Sequence, residues 1–292
     1  MIELIVAFIV LCILLVAEWM REIHSFRITR YHITSRKLDG LDRERKVILL
    51  SDLHNCQYGA GNEKLLQAIR DEKPDMILIA GDMLVGRPGI STRVAEEFVT
   101  ELSKVADTYY GNGNHEQRMK EELEKYHDAY ELYRDRLANV GVIFLENEKA
   151  VLQWDGIDVN IYGLEIPYER YSKFRKIPYD VKTMNGQIGI GDKRSYNILI
   201  AHNPAYMDTY LEWGADLTVS GHLHGGVVRL PGIGGVISTQ FTLFPKYSGE
   251  MKKDIEKDAT SVVSKGIGLH TIKVRLFNPA EVVVMHINGA EE

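Results

Sequence analysis

The stretch KVILLSDLH, residues 46–54, joins an apolar run to a polar turn. Uninterrupted apolar residues, as at 47–50, are typical of a strand buried on both faces. Asp52 and His54 follow where such a strand ends, and their spacing lets both side chains reach one ion. The stretch therefore predicts a sheet strand with a candidate metal site at its carboxyl end.

Strands and amphipathic helices alternate around this stretch. Segments 62–75 and 92–105 have apolar residues at helical spacing, and each leads into an apolar run typical of a strand, at 75–82 and 107–111. A charged helix is expected over 116–139. Strand-like runs separated by turn residues follow, so the order of elements predicts an α/β sandwich with helices outside. Residues 268–287 predict a hairpin that closes the chain, with Asn278-Pro279 near its turn.

The first twenty residues, MIELIVAFIVLCILLVAEWM, differ from the rest of the chain. Across residues 2–17 the only charged side chain is Glu3, and the apolar length is at the short end for a helix that crosses a bilayer. A buried core helix would be less uniformly apolar. A cleaved signal peptide would have a basic start and a small-residue cleavage site, which this segment lacks.

Basic residues follow the apolar segment: Arg21, Arg27, Arg30, Arg36 and Lys37. The positive-inside rule then places the rest of the chain in the cytoplasm. We expect a single-pass membrane protein with a transmembrane anchor at 1–20, a basic juxtamembrane linker at 21–43 and one domain at 44–292.

The overall composition gives two further constraints. Lys and Arg total 35 against 41 Asp and Glu, so no nucleic-acid partner is expected. The two cysteines, Cys12 and Cys56, lie in the apolar run and in a distant loop, so no disulfide framework is expected, and Cys56 is interpreted as a neighbour of the site.

Five predicted strands each end in residues that can bind metals. These residues are Asp52 with His54, Asp82, Asn114 with His115 and Glu116, His202, and His222 with His224. The carboxyl ends of strands are where sites form in open α/β sheets. An HxH pair alone is weak evidence, but five strand-end turns that all carry metal-binding residue types predict one site. The other histidines are expected on the surface or in structural roles, with an approach to the site as the alternative for His270: His24, His32, His127, His270 and His286.

The ligand types indicate the chemistry. Two divalent ions about 3.5–4 Å apart can hold the attacking and leaving oxygens of a phosphoryl transfer. A carboxylate between the ions offsets their repulsion, and a mixture of imidazole and carboxylate favours manganese, iron or zinc over magnesium or calcium. We expect two divalent metal ions, manganese as the first choice and iron or zinc as alternatives.

The motif order D-x-H, GD, GNHE, H and GHxH, over residues 52–224, resembles the calcineurin-like metallophosphoesterases. Segments 221–234, 244–251 and 263–284 are similar to the single-span, membrane-anchored bacterial branch of that family. The resemblance implies a β-sandwich core flanked by helices in four layers (αββα). It also implies a metal-dependent hydrolase of phosphate esters, phosphodiesters or pyrophosphates.

The resemblance further implies a role for each motif residue. Seven residues would bind metal: Asp52, His54 and His224 the first ion, Asn114, His202 and His222 the second, and Asp82 both. His115 would protonate the leaving oxygen, with Glu116 orienting it, and a metal-bridging hydroxide would be the nucleophile. Two departures from the family pattern concern the substrate pocket: a glycine is delayed to Gly59, and no arginine directly follows Glu116.

Several interpretations stay open on sequence alone. Some relatives hydrolyse the pyrophosphate of UDP-2,3-diacylglucosamine, and an anchor would bring the site to such a lipid-linked substrate. A non-catalytic scaffold on the same fold is the alternative of another class, but the intact ligand set and His115 favour an enzyme. The run YERYSKFRKIPY, 168–179, is either an exposed loop or a cap over an anionic or lipid-linked substrate.

Overall fold

The computed structural model describes residues 1–172, 177–226, 229–230, 234–237, 243–269 and 274–290. The strands in these ranges are β1 (Phe26–Ser35), β2 (Arg45–Leu50), β3 (Met76–Ala80), β4 (Asp107–Gly111), β5 (Ile143–Phe144), β6 (Lys149–Trp154), β7 (Ile157–Leu164), β8 (Tyr196–Ala201), β9 (Leu217–Ser220), β10 (Arg229–Leu230), β11 (Gly234–Gly235), β12 (Met251–Asp254), β13 (Ala259–Val263) and β14 (Ala280–Gly289). The helices are α1 (Ile2–Ile23), α2 (Glu63–Glu72), α3 (Arg93–Leu102), α4 (Asn114–Glu121), α5 (Leu123–Tyr126), α6 (Ala129–Ala138), α7 (Val181–Ile188) and α8 (Met207–Trp213).

The strands form two mixed six-stranded sheets. The first has the order β1-β14-β2-β3-β4-β5, in which only β14 and β2 pair in antiparallel fashion among the described strands. The second has the order β12-β13-β9-β8-β7-β6, with antiparallel pairs at its two edges and parallel pairs inside. The parallel strands explain the continuous apolar runs, since such strands are buried on both faces.

Side chains alternate along β2 between two apolar cores. Val47 and Leu49 pack against the second sheet, whereas Ile48 and Leu50 pack against α2, α3 and α6. Leu199 of β8 belongs to a third core, beneath α7 and α8. Each buried aliphatic side chain contributes roughly 1.5–3 kcal/mol, so these three cores fix the strand ends relative to one another.

The segment predicted to be a juxtamembrane linker, 21–43, is largely structured. Residues Phe26–Ser35 form β1, which pairs with β14 over its full length, and Ile33 and Leu38 are buried. The sequence pattern does not predict this strand, because it lies at a sheet edge and carries basic residues, as edge strands often do. The sandwich therefore includes residues before the predicted boundary at 44.

Two other expectations also differ in detail. The charged segment 116–139 is divided among α4, α5 and α6, with His127 at a positive φ of 50° between the last two. Residues 280–287 of the predicted closing hairpin lie in β14, which pairs with β1 on one side and β2 on the other, so β14 is not an arm of that hairpin. The first half of the predicted hairpin includes 270–273, which lie outside the described residues.

Candidate metal centre

Turns after β2, β3, β4, β8 and β9 carry the predicted site residues to one edge of the sandwich. Asp52, His54, Asp82, His222 and His224 all have positive φ, between 46° and 71°. Non-glycine residues adopt this left-handed conformation only at a cost, and it concentrates at functional sites. The backbone turns sharply at each strand end, and the side chains converge.

Hydrogen bonds between neighbouring turns hold this backbone in place. The Asp52 N–H donates to the Gly81 carbonyl at 2.9 Å, and the His54 N–H donates to the Asp82 carbonyl at 3.1 Å. Gly81 and Gly113 approach so closely that a Cβ on Gly81 would collide with the Gly113 backbone. The glycines before Asp82 and Asn114 therefore permit the contact between the β3 and β4 turns.

Asp52, His54 and His224 form the first cluster of potential ligands, and all three are buried. Nε2 of His224 lies 3.1 Å from Nε2 of His54 and 3.4 Å from Oδ1 of Asp52. Three ligand atoms around one point are the arrangement that a divalent cation needs. The cluster is the set that the family resemblance implies for the first ion.

Asp82, His202 and His222 form the second cluster. Oδ2 of Asp82 lies 3.2 Å from Nε2 of His202 and 3.8 Å from Nε2 of His54, so one carboxylate reaches both clusters. Oδ1 of Asn114 is buried and accepts no hydrogen bond from the described residues. A buried amide oxygen without a donor is costly unless a cation occupies its lone pairs, so the donor set fits two metal ions.

Two histidines at this edge have opposite ring orientations. Nδ1 of His202 is 2.5 Å from the Ala80 carbonyl, which can only accept, so this nitrogen holds the proton and Nε2 can ligate. Nδ1 of His115 instead accepts from the Gly86 N–H at 2.9 Å, so the proton of the neutral ring is on Nε2, 4.0 Å from Asp82. His115 offers a proton where His202 offers a lone pair.

Glu116 is buried among backbone N–H groups of the strand-end turns. Its carboxylate accepts from the N–H groups of Asp82 at 2.9 Å, Met83 at 3.0 Å and Gly113 at 3.1 Å, and from the Tyr110 hydroxyl at 2.7 Å. Four donors match the lone pairs that a carboxylate offers. Glu116 thus holds the turns that carry Asp82 and Asn114, and the orienting of His115 that the family resemblance implies stays a prediction.

Charge at the centre is unevenly distributed. Burial by itself lowers the pKa of His202, but Asp82 and Asp52 outweigh it and raise the pKa to about 9. Burial raises the pKa of Asp52 to about 6, whereas the attraction of His202, His115 and His54 overcomes burial at Asp82 and lowers its pKa. Without metal, His202 therefore retains a proton at neutral pH, for which metal ions compete.

Tyr171 is a site residue that no sequence motif marks. Its buried ring lies with its centroid 5.1 Å from that of His222 and 6.0 Å from that of His202. The aromatic run 168–179 contains it, but nothing in that run distinguishes it from the neighbouring tyrosines. Residues 173–176 of the predicted cap lie outside the described residues, so the cap stays a prediction.

Asn278 is a second residue that the motifs do not reveal. Its side-chain amide donates to the carbonyls of His224 at 2.6 Å and Gly226 at 2.5 Å, and thereby holds the HxH loop. The same residue's N–H donates to Glu22 at the end of α1, at 2.9 Å. The only sequence signal was the Asn-Pro pair expected near a turn.

The remaining candidates lie around the site or away from it. Sγ of Cys56 accepts from the Leu269 N–H at 3.2 Å, and neither cysteine forms a disulfide bond within the described residues. The rings of His32 and His286 stack with centroids 4.8 Å apart, and His286 contacts Glu44. His270 lies outside the described residues.

Comparisons relate the chain to known proteins. A family model described as calcineurin-like phosphoesterase matches residues 45–226. An uncharacterised metallophosphoesterase of Aquifex aeolicus is 26% identical over 282 residues, covering 96% of this chain and 98% of the relative. Phosphodiesterase YaeI of Escherichia coli is 24% identical over 192 residues, covering 65% and 64%. The crystal structure of the phosphopantetheinyl hydrolase PptH of Mycobacterium tuberculosis gives a TM-score of 0.48 at 14% identity, over 81% of this chain and 97% of that one.

Proposed function

This chain belongs to the calcineurin-like phosphoesterase family, and from that premise we propose that it is a membrane-anchored phosphoesterase with two divalent metal ions at its strand-end site. It is a metal-dependent phosphoester hydrolase. The observation that carries the two-ion proposal is the position of Asp82, whose Oδ2 lies within 4 Å of ligand atoms from both clusters.

Seven side chains are proposed to hold the ions. Asp52, His54 and His224 would bind the first, Asn114, His202 and His222 the second, and Asp82 both. The mixture of nitrogen and oxygen donors supports manganese, with iron or zinc as alternatives. When bound, the ions would polarise the phosphoryl group and activate a water molecule as the nucleophile.

His115 is proposed as the general acid. The Gly86 N–H directs the ring so that Nε2–H faces the centre, and the ring is almost fully buried. The proton would pass from Nε2 to the oxygen that leaves the phosphorus atom, which turns a poor alkoxide leaving group into an alcohol. Glu116 would act indirectly, by holding the turns of Asp82 and Asn114 against the strain of their backbone.

We also propose that α1 is a membrane anchor. The helix has 22 residues, a mean hydropathy of 2.6 over its most apolar window and no buried residue in that window, which argues against a core helix. At 1.5 Å per residue it is about 33 Å long, close to the thickness of a bilayer core. The buried contact of Glu22 with Asn278 favours a retained helix over a cleaved signal, and the basic residues that follow favour a cytoplasmic domain.

The test is a substrate screen on the full chain in detergent, loaded with manganese. We expect hydrolysis of p-nitrophenyl phosphate, bis-p-nitrophenyl phosphate or a UDP-linked lipid, and its loss after chelation and dialysis. A scaffold would bind metal and hydrolyse none of them. Two bound ions without turnover on any of these substrates would therefore contradict the proposed activity and favour the scaffold.

A further inference from the structure

The edge of the sandwich that carries the metal centre is also the edge at which α1 enters it. Strand β1 starts at Phe26, directly after α1, and runs parallel to β14, with Phe26 opposite Ala280. Strand β2 runs antiparallel to β14, with Leu49 opposite Val283. The carboxyl end of β2, and Asp52 beyond it, therefore lie at the end of the sheet where β1 begins.

A short series of hydrogen bonds connects the helix to the metal-binding loop. Glu22, in the last turn of α1, is 1% exposed and accepts the Asn278 N–H. The Asn278 side chain donates to the carbonyls of His224 and Gly226. One residue thus separates the end of α1 from the loop of a proposed metal ligand, so a bilayer that contains α1 must lie close to the site.

Large apolar side chains are exposed beside this connection. Leu230, Phe244 and Phe277 line one cavity of about 580 Å³ and are 41%, 59% and 46% exposed. Phe244 and Phe277 have φ values of 46° and 54°, a conformation that favours glycine. Neither the local backbone nor burial accounts for a phenylalanine at these two positions, whereas insertion into a bilayer interface would bury both rings.

Basic groups surround the same cavity. Arg229, Lys246 and Lys252 line it together with the two phenylalanines. Glu250 lines it as well and pairs with Arg229 at 3.1 Å and with Lys252 at 3.7 Å, while Lys246 pairs with the exposed Asp208, so basic groups exceed acidic ones by two among the described lining residues. Aromatic side chains at the depth of the headgroups, with cationic groups beside them, are typical of protein surfaces that contact anionic membranes. The excess of basic groups and the exposed apolar side chains both fit an anionic membrane surface.

We propose that this edge rests on the bilayer that α1 spans, with Phe244, Phe277 and Leu230 in the interface, and that the substrate is a phosphate group carried by a membrane lipid. The inference rests on the proposed function, which supplies the anchor and the phosphoesterase chemistry. A site held at the headgroup layer meets lipid-borne phosphates at high local concentration.

The chain offers a matched control at the opposite end of the sandwich. Ile255 is 84% exposed in the turn between β12 and β13. Asp258 of that turn accepts the Arg36 N–H, just beyond the last residue of β1. Ten residues of strand span about 33 Å, so Ile255 lies far from the end of α1.

Depth-dependent quenching of tryptophan fluorescence tests whether this surface contacts the bilayer, and it does not require activity. Full-length chains with Phe244→Trp, Phe277→Trp or Ile255→Trp would be reconstituted in phosphatidylcholine–phosphatidylglycerol vesicles with brominated acyl chains. The wild type supplies the background of the three native tryptophans. We expect bromine to quench the added emission at 244 and 277 but not at 255. Equal quenching at all three positions, or none at 244 and 277, would overturn the proposed contact between this surface and the bilayer.

An activity measurement tests the substrate class. Phe244→Ser with Phe277→Ser should lower kcat/KM on vesicle-borne phosphatidic acid or a lipid-linked pyrophosphate by roughly 3- to 10-fold, because each ring loses part of its transfer energy. Hydrolysis of p-nitrophenyl phosphate should not change, and Ile255→Ser should affect neither substrate. A wild type that hydrolyses only the soluble ester would overturn the lipid assignment. A wild type that hydrolyses nothing would contradict the proposed function and leave the quenching result standing.

Discussion

Nε2 of His202 lies 3.2 Å from Oδ2 of Asp82, while the other ring nitrogen is tied to the carbonyl at the end of β3. The orientation of the ring is therefore fixed by the backbone, and its free nitrogen is directed at the carboxylate that reaches both clusters. Without metal, the pair is stabilised by a proton on His202, because Asp82 raises the pKa of the ring above its usual range despite burial.

Metal binding should release this proton. The pKa of His202 is about 9 without metal, so the ring is protonated at neutral pH and must lose the proton to ligate. Affinity for manganese should rise with pH, by about tenfold per unit for one proton, and level off above the pKa. Calorimetric titrations in buffers of different ionisation enthalpy measure the released proton. An affinity for manganese that is independent of pH over the neutral to mildly alkaline range would contradict the release of a proton from His202.

Asp82→Asn should lose both ions. A neutral amide offsets the repulsion between two cations poorly, and the amide nitrogen offers no lone pair to the second ion. Elemental analysis of the purified full chain gives the stoichiometry, with Asp135→Asn, an exposed residue, as the control. Retention of two ions per chain in Asp82→Asn would show that this carboxylate is not the bridge.

His115→Asn should keep the metals and lose turnover by roughly 10²–10⁴-fold on alkyl phosphate esters, the range for a general acid. The loss should be smaller on p-nitrophenyl esters, whose leaving group needs no proton. His127→Asn replaces an exposed histidine and should leave rates unchanged. Equal losses for good and poor leaving groups would exclude the acid role.

Glu116→Gln tests whether Glu116 supports the turns or orients His115. An amide nitrogen would face N–H donors of the Asp82 and Gly113 turns, at a cost of about 1–3 kcal/mol for each unsatisfied group. We therefore expect a lower Tm and reduced metal content, measured by calorimetry and elemental analysis, relative to the exposed control Glu124→Gln. Unchanged Tm and metal content with reduced kcat would favour the orienting role.

The strand-end residues could be predicted because each belongs to a short, local pattern. A buried run followed by Asp, His or Asn marks both the strand and the end that carries the side chain, as at Asp52 and His202. The parallel arrangement then brings distant turns to one edge. Local pattern and ligand chemistry agree at these positions, so the cluster could be inferred without coordinates.

Other features depend on contacts that no local pattern contains. Tyr171 and Asn278 reach the site from distant segments, and the partners of Glu116 are backbone groups whose positions follow from strained turns. Strand β1 resembles a basic linker because its exposed edge positions carry the charges. Its pairing with β14, which fixes where α1 enters the sandwich, is visible only in the assembled sheet.

Electron paramagnetic resonance of the full chain loaded with manganese tests the shared metal centre most directly. Two ions bridged by Asp82 should give a spin-coupled signal in a wild-type sample that contains two manganese ions per chain. Asp82→Asn should lose that signal. A fully loaded, active wild type that shows only the spectrum of isolated manganese ions would contradict a centre in which one carboxylate joins two metals.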